Sequence, residues 1–569
     1  MTPLTRRALG AILLAAALTS LVAVTLLATL IPLNGLWSGD QGAKLVQVIS
    51  LIKTRFTSLA LVEPPGYALD PSGRFSPLPT LLTWHDTERG VFYSLFSYPY
   101  AALTAPLFFF LGFPGLFVVP LLATGSTLAL GGLIGRRLGL RPAWALPPLL
   151  GLATPLGFYA MVPWEHALAV AATSGATLLL LRELGRDGQA RSGVWAAAGL
   201  LAGLACWLRP ETIWFGPALL AGALLAGARR PGPLLALSGG LAVAVGMWMA
   251  GNLALFGAPL GPQISANYGV ALEPTTTALL ADQARIALTM SGGAGAWQPA
   301  WWIALAGAGA ALLPLPRLRP WLLLGVGAAS LAPLLATPWH YAIFVGLASA
   351  CPLALLPAWL AAVRPLSREL RLTSGTAAVY VVGVLLTAPN DGGASWGPRY
   401  LLPALPLLVL AGLAAAWALL RATSGPLRLA AWLGLILLLI ASFGVALRSV
   451  IVLRDSTSQS LRLTQVVNAQ PARVIVTDAE FGPQLLAQLL YERPVLFTNE
   501  PLLPAELLEL VWASGESHFA LLTDTPRGQV AGRLASHGTA CEVIEGFAYG
   551  LTLFDCQRAV GRSSPASFR

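Results

Sequence analysis

Charge is scarce in this chain. Asp, Glu, Lys and Arg make up 11% of its 569 residues, against 56% hydrophobic. A water-soluble fold needs more polar surface, so a soluble globular protein is excluded and a polytopic membrane protein is expected. Lysine occurs only at Lys44 and Lys53. No Walker motif and no dinucleotide fingerprint occurs, which argues against an ATP-driven pump. Cysteine is limited to four positions. Cys206 and Cys351 stand alone in apolar runs and read as small core residues. Cys541 and Cys556 fall near the C-terminus, where a disulfide is open to them if that segment lies outside the cell.

What the chain does have is a repeating series of apolar stretches, each of roughly 17–25 residues, the length that crosses a bilayer as a helix. Their approximate cores are 8–31, 115–135, 143–161, 165–181, 194–208, 212–228, 234–254, 299–315, 321–337, 341–361, 373–388, 400–420 and 429–447. The first is too long for the apolar part of a signal peptide and is followed by more spans, so it is kept as a helix. The net charge of +10 follows topology. Arginine clusters at Arg6–Arg7, Arg136–Arg141, Arg182–Arg191, Arg229–Arg230, Arg317–Arg319, Arg364–Arg371 and Arg421–Arg428 alternate with the spans. Placed inside, they account for 17 basic residues, and eight remain in the outer loops before the tail. That bias puts the N-terminus in the cytoplasm and, with about thirteen spans, the C-terminus outside, in the cell membrane. Aromatic residues do not interleave with these arginines, so nucleic acid is not an expected partner.

The expected organisation is a membrane domain over 1–448, with a large first outer loop at 34–114, and an extracytoplasmic α/β domain over 449–569. Twelve of the 25 acidic residues follow position 448. Strands are expected at Arg473–Thr477, Pro494–Thr498, His518–Thr523, Cys541–Ile544 and Tyr549–Phe554, and helices at Phe481–Tyr491, Leu502–Trp512 and Gly528–Ser536. Ser97–Leu111 reads as an interfacial or re-entrant helix anchored by its aromatic residues. A second long outer loop runs from Phe256 to Gln298. Long loops carry function more often than short connectors.

The residues that could carry chemistry cluster in the outer loops. A carboxylate at the membrane edge is costly there, and so is functional or partnered. Asp40, just beyond the first span, suits a general base that takes a proton from an acceptor hydroxyl. Its other role is N-cap of an interfacial helix from Gln41 to about Arg55, with Lys44 as i+4 partner. Arg399 suits a cation for a departing phosphate, at a point where a helix restarts from the outer face, with Lys44 as a second donor-phosphate contact. The alternative for Arg399 is an interface anchor between Trp396 and Tyr400. Candidate cavity-lining residues are His85, Asp86, Glu165, His166, Arg209, Glu211, Asp391 and Tyr400. Arg209 and Glu211 could equally pair with other groups, Glu165–His166 could be structural, and His85–Asp86 with Glu88 could be solvated loop. A divalent metal at Asp40 is left open by spacing.

With these residues in view, the chain resembles the bacterial GT-C-type glycosyltransferases that use polyprenyl-phosphate-linked sugars, the group of protein O-mannosyltransferase-like and aminoarabinose-transferase-like enzymes. The resemblance rests on Gly39-Asp40, Tyr93-Ser94 to Tyr98-Pro99-Tyr100, Leu208-Arg209-Pro210-Glu211, Asn252 to Phe256-Gly257-Ala258-Pro259, and Trp396-Gly397-Pro398-Arg399-Tyr400-Leu401-Leu402-Pro403, in that order. It implies an all-α bundle of about a dozen helices with an outer-face cavity, and a catalytic aspartate in the first outer loop, which maps onto Asp40. The family often carries a second acid directly after it, and here that place is Gln41. The leading expectation is transfer of a sugar from a polyprenyl-phosphate donor to a glycan, lipid or protein. The alternative is a non-enzymatic lipid-linked glycan transporter or envelope assembly scaffold. Transporters often show internal repeats, and none is evident.

Overall fold

In a computed structural model, the described residues are 3–184, 191–268, 298–336, 346–388, 396–500 and 503–558. The chain divides into two compact units. One comprises Met1–Thr29 and Leu116–Val452, the other Leu30–Gly115 and Leu453–Arg569.

The first unit is helical. With no water to bind exposed backbone groups, a chain this apolar satisfies them within helices. Even the threonines comply: Thr19, Thr173 and Thr177 donate to the carbonyls of Ala15, Ala169 and Thr173 at 2.7, 3.0 and 2.9 Å. Among the described residues, seven helices are long and apolar enough to cross a membrane: Arg6–Thr29, Gly115–Arg137, Pro231–Phe256, Arg319–Ala336, Arg368–Thr387, Arg399–Ala422 and Gly425–Asn468. Their outward faces are apolar, with Leu14, Leu122 and Leu235 exposed, as lipid-facing surfaces require.

Other expected spans take different forms. The stretch at 143–161 is broken into a 3-10 turn and the helices Leu146–Leu152 and Leu156–Ala160, because Pro155 cannot continue the first helix. The stretch at 212–228 enters through a 3-10 turn, Pro210–Trp214, before the helix Phe215–Leu225. Pro352–Ala362 is also 3-10, with Pro357 inside it, and the start of that expected span lies outside the described residues.

The second unit joins the segment after the first span to the C-terminal tail. Its segment 30–115 supplies the helix Gly39–Lys53, an antiparallel hairpin of β1 (Thr83–Asp86) and β2 (Val91–Ser94), and the helix Tyr98–Leu111. The interfacial segment expected at Ser97–Leu111 is thus a helix. Ser97 caps it by accepting from the Tyr100 N–H at 3.4 Å.

The tail contributes β3 (Val474–Thr477), β4 (Val495–Phe497), β5 (His518–Thr523), β6 (Thr539–Gly546) and β7 (Thr552–Arg558), ordered β4-β3-β5-β7-β6. β3 runs parallel to β4 and β5, while β7 is antiparallel to β5 and β6. Helices Ala505–Ala513 and Arg527–Ser536 pack on this sheet through Leu507 and Val530, so the expected α/β layer is present. Its core gathers Val474, Val476, Phe519, Leu521 and Phe554, together with Phe75 from the first segment. Cys541 and Cys556 face each other across β6 and β7 and form a disulfide. The helix expected at Phe481–Tyr491 is a single turn, Gly482–Leu485.

Candidate active site

The Gly39–Lys53 helix begins at Ser38, which has extended backbone geometry. Asp40 is therefore in the first turn, not at the N-cap. The cap interaction comes instead from Gln41, whose Oε1 accepts from the Trp37 N–H at 2.7 Å. This reaches back in the manner of a capping box, one residue further than usual. Gln41 is thus engaged in holding the chain's entry into the helix. A carboxylate in the first turn also suits the positive end of the helix dipole.

One turn later, Lys44 is buried with its ammonium 4.7 Å from the centre of the Phe96 ring, a cation–π contact. Gln47, also buried, donates to the Phe96 carbonyl at 3.3 Å. Sequence reasoning misses Phe96 and Gln47, since no spacing signal marks them. His85 and Asp86 belong to the hairpin. His85 is exposed and stacks on Phe92 at 4.3 Å. Asp86 accepts from the Glu88 and Arg89 N–H groups, both at 3.1 Å, and pairs with Arg89 at 3.5 Å. It thereby shapes the turn.

In the first unit, four of the expected residues come together. Arg209 donates through Nε to Glu211 at 2.7 Å and through Nη1 to Glu165 at 3.2 Å. All three are buried, with Glu165 at 0% and Arg209 and Glu211 at 6% exposure. The Arg209 guanidinium also lies 5.7 Å from the Tyr400 ring. Local structure explains the meeting. The helix Ser192–Leu208 stops before Pro210, and the Pro210–Trp214 turn places Glu211 beside Arg209. The helix starting at His166 brings Glu165 to the same point.

Arg399 sits next to this group. Its guanidinium is 5.4 Å from the Tyr400 ring and 6.0 Å from the Trp164 ring. Trp164 in turn packs with His166 and Tyr159 at 5.2 and 5.9 Å. Trp164 and Tyr159 also escape sequence reasoning, since their contacts arise from the broken stretch before them. Arg399 opens the 3-10 turn Arg399–Ala404, which leads into the helix Leu405–Ala422. Phe158 bridges this cluster, against Trp396 at 6.3 Å, to an apolar cavity of about 250 Å³ lined by Thr19, Leu26, Leu128, Met161 and Leu447. Asp391 lies outside the described residues.

The sequence matches no family model and no curated protein. Solved structures do match. ArnT from Cupriavidus metallidurans in the apo state is similar at 14% identity over 95% of this chain and 98% of that one, with a TM-score of 0.51. The same protein bound to undecaprenyl phosphate matches over 96% and 99%, at 12% identity and a TM-score of 0.50. This chain has the GT-C fold. A third match is the Archaeoglobus fulgidus oligosaccharyltransferase in complex with Zn and sulfate, at 12% identity and a TM-score of 0.46 over 89% of this chain and 67% of that one. Among the described residues, no three His, Cys, Asp or Glu side chains come together as a metal site.

Proposed function

We propose that this chain is a membrane glycosyltransferase. It would move a sugar from a polyprenyl-phosphate donor to a hydroxyl acceptor on the outer face of the cell membrane. The observation that carries the reading is a likeness extending over 96% of the chain to a fold that, in ArnT, holds undecaprenyl phosphate. A first-turn carboxylate directly after the first span is in keeping with it.

In this reading the acceptor oxygen attacks the anomeric carbon. The bond from that carbon to the phosphate oxygen breaks, and the lipid phosphate leaves with the electron pair. The acceptor proton passes to Asp40. Arg399 and Lys44 bind the phosphate, where positive charge stabilises the leaving group. Arg209, Glu165 and Glu211 form a rigid buried wall that orients Tyr400. The apolar cavity at Phe158 suits a prenyl chain. No step in this scheme uses a metal. A divalent ion remains open as an addition, and transfer measured with and without EDTA decides it.

The test is genetic and chemical. Mass spectrometry of envelope glycans and lipids from a deletion strain is expected to show loss of one glycosylated product and accumulation of its lipid-linked donor. Wild-type chain restores the product and Asp40→Asn does not, at equal membrane levels. Full restoration by Asp40→Asn would remove Asp40 as the base. Loss of the product with the donor stranded on the inner leaflet would instead favour a lipid-linked glycan transporter, and an unchanged product profile would remove both readings.

A further inference from the structure

We infer that the C-terminal α/β domain is the positioning element for Asp40, acting through Gln484. The inference rests on the reading of Asp40 as the base, but its structural half can be tested without that reading.

A Cβ added to Gly39, the residue before Asp40, would fall on the side-chain amide of Gln484, with the Gln484 Cβ 3.4 Å away. A Cβ on Gly42 would collide with the Gln484 backbone carbonyl and come within 3.2 Å of the Ala487 Cβ. The first turn of the Asp40 helix therefore sits directly on the Gly482–Leu485 turn, with glycine at both contact points. Gln484 is buried, and its Nε2 donates to the Thr80 carbonyl at 2.5 Å.

Neighbouring residues of the tail hold the same segment elsewhere. Gln488 donates to the Asn34 carbonyl. Ser460 Oγ accepts from the Leu36 N–H at 3.2 Å. At the far end of the helix, the Tyr491 hydroxyl lies 2.8 Å from Ser50 Oγ and donates to the Val62 carbonyl at 3.0 Å. The Lys53 ammonium stands 5.1 Å over the Tyr491 ring. Both ends of the Asp40 helix are thus fixed by the tail.

These contacts explain why the Phe481–Tyr491 stretch gives up most of its helix. Gln484, Gln488 and Tyr491 are turned toward the Asp40 segment. A base must be held within a fraction of an ångström of its working position, and a displacement of about 1 Å can cost about 10²-fold in rate.

The experiment uses the full-length protein in proteoliposomes, with the lipid-linked sugar that accumulates in the deletion strain as donor probe. Gln484→Ala removes the clamp without adding atoms. It is expected to raise amide exchange at 39–44 at least about tenfold while β3 and β5 amides stay protected. It should lower kcat about tenfold and leave the donor KM within about twofold. Gly39→Ala pushes the helix off the clamp and is expected to lower kcat further. The double variant Gly39→Ala/Gln484→Ala relieves the clash and returns to the level of Gln484→Ala.

Wild-type kcat in Gln484→Ala, or a double variant no better than Gly39→Ala, overturns the proposal. Should Gly39→Ala fail to fold, Gln484→Ala alone decides. Activity in Asp40→Asn would instead refute the base assignment, while the exchange result at 39–44 would stand or fall by itself.

Discussion

Arg209 holds two carboxylates at once, and the three charges are buried together. Truncating one member of such a group leaves buried charge uncompensated. Arg209→Ala is therefore expected to cost about 3–5 kcal/mol, seen as a large fall in melting temperature in detergent. The triple variant Arg209→Met/Glu165→Gln/Glu211→Gln removes every charge and should recover most of that loss. Arg399 differs, because its guanidinium lies against the faces of Trp164 and Tyr400. Arg399→Ala is expected to fold normally and to raise the donor KM; an unchanged KM removes it as a phosphate ligand. A third residue-scale effect lies in the tail. Burial raises the Asp478 carboxyl above its ordinary range; hydrogen bonds with Thr523 and Thr525 oppose this, and Asp524 adds to it. The folded chain then keeps a proton that the unfolded chain has already lost. Stability falls as pH rises from the ordinary carboxylate range through the folded value, and the cost is complete above that. Asp478→Asn should accordingly raise the melting temperature at pH ~7 and give no gain below pH ~3, since both states are then protonated. A gain that persists at low pH would point to a cause other than ionisation.

At the scale of elements, small residues decide how closely helices approach. Gly199 and Gly203 of the helix Ser192–Leu208 face Gly240 and Ala244 of the helix Pro231–Phe256. A Cβ on Gly199 would meet the Leu237 carbonyl, one on Gly240 the Ala196 carbonyl, and one on Gly203 the Ala244 Cβ at 2.6 Å. Such backbone proximity is the usual basis of association where lipid is as apolar as leucine. Gly240→Ile should separate the pair and lower thermal stability in detergent, while Gly246→Ile, with open space beside it, should not. The disulfide works at the same scale. It spans 15 residues, and closing a loop of that length is worth about 3 kcal/mol. Cys541→Ser/Cys556→Ser should loosen β6 and β7 in amide exchange by a corresponding amount.

Elements with strong period and length, such as Arg6–Thr29 or β5, are legible in the sequence because local pattern and final state agree. The stretch 143–161 is not, although Pro147, Pro148 and Pro155 stand in it, since hydropathy registers apolarity and ignores lost N–H donors. The Phe481–Tyr491 helix fails for another reason: its polar side chains find better partners some 400 residues away in the chain, at Thr80 and Val62. Among the candidate residues, charge type and loop position single out Asp40, Arg209, Glu211 and Arg399. The role of Gln41, and the aromatic setting of Trp164 and Phe96, depend on contacts that no spacing rule encodes.

At the scale of the whole molecule, topology follows from one shared core. Phe75, from the segment after the first helix, is buried among tail residues, and the Phe497 N–H donates to the Phe75 carbonyl at 2.8 Å. Two pieces that fold around one another must lie on the same side of a membrane. We propose that the first helix crosses the membrane between that segment and the N-terminus, which would put the N-terminus on the opposite side from the tail whatever the number of spans between 116 and 452. In this proposal the positive-inside bias favours the cytoplasm for the N-terminus, since 17 basic residues fall in loops expected on its side and eight in the other loops expected before the tail. The disulfide independently favours an oxidising compartment for the tail. An alkaline phosphatase fused after Arg569 is expected to be active, and green fluorescent protein at the same point to be dark. Cys541 and Cys556 in intact cells should react with a membrane-impermeant maleimide only after reduction and unfolding. An inactive phosphatase fusion with a fluorescent partner would invert the arrangement, and with it the placing of Asp40 on the outer face; the shared core would then require both pieces to move to the cytoplasm together.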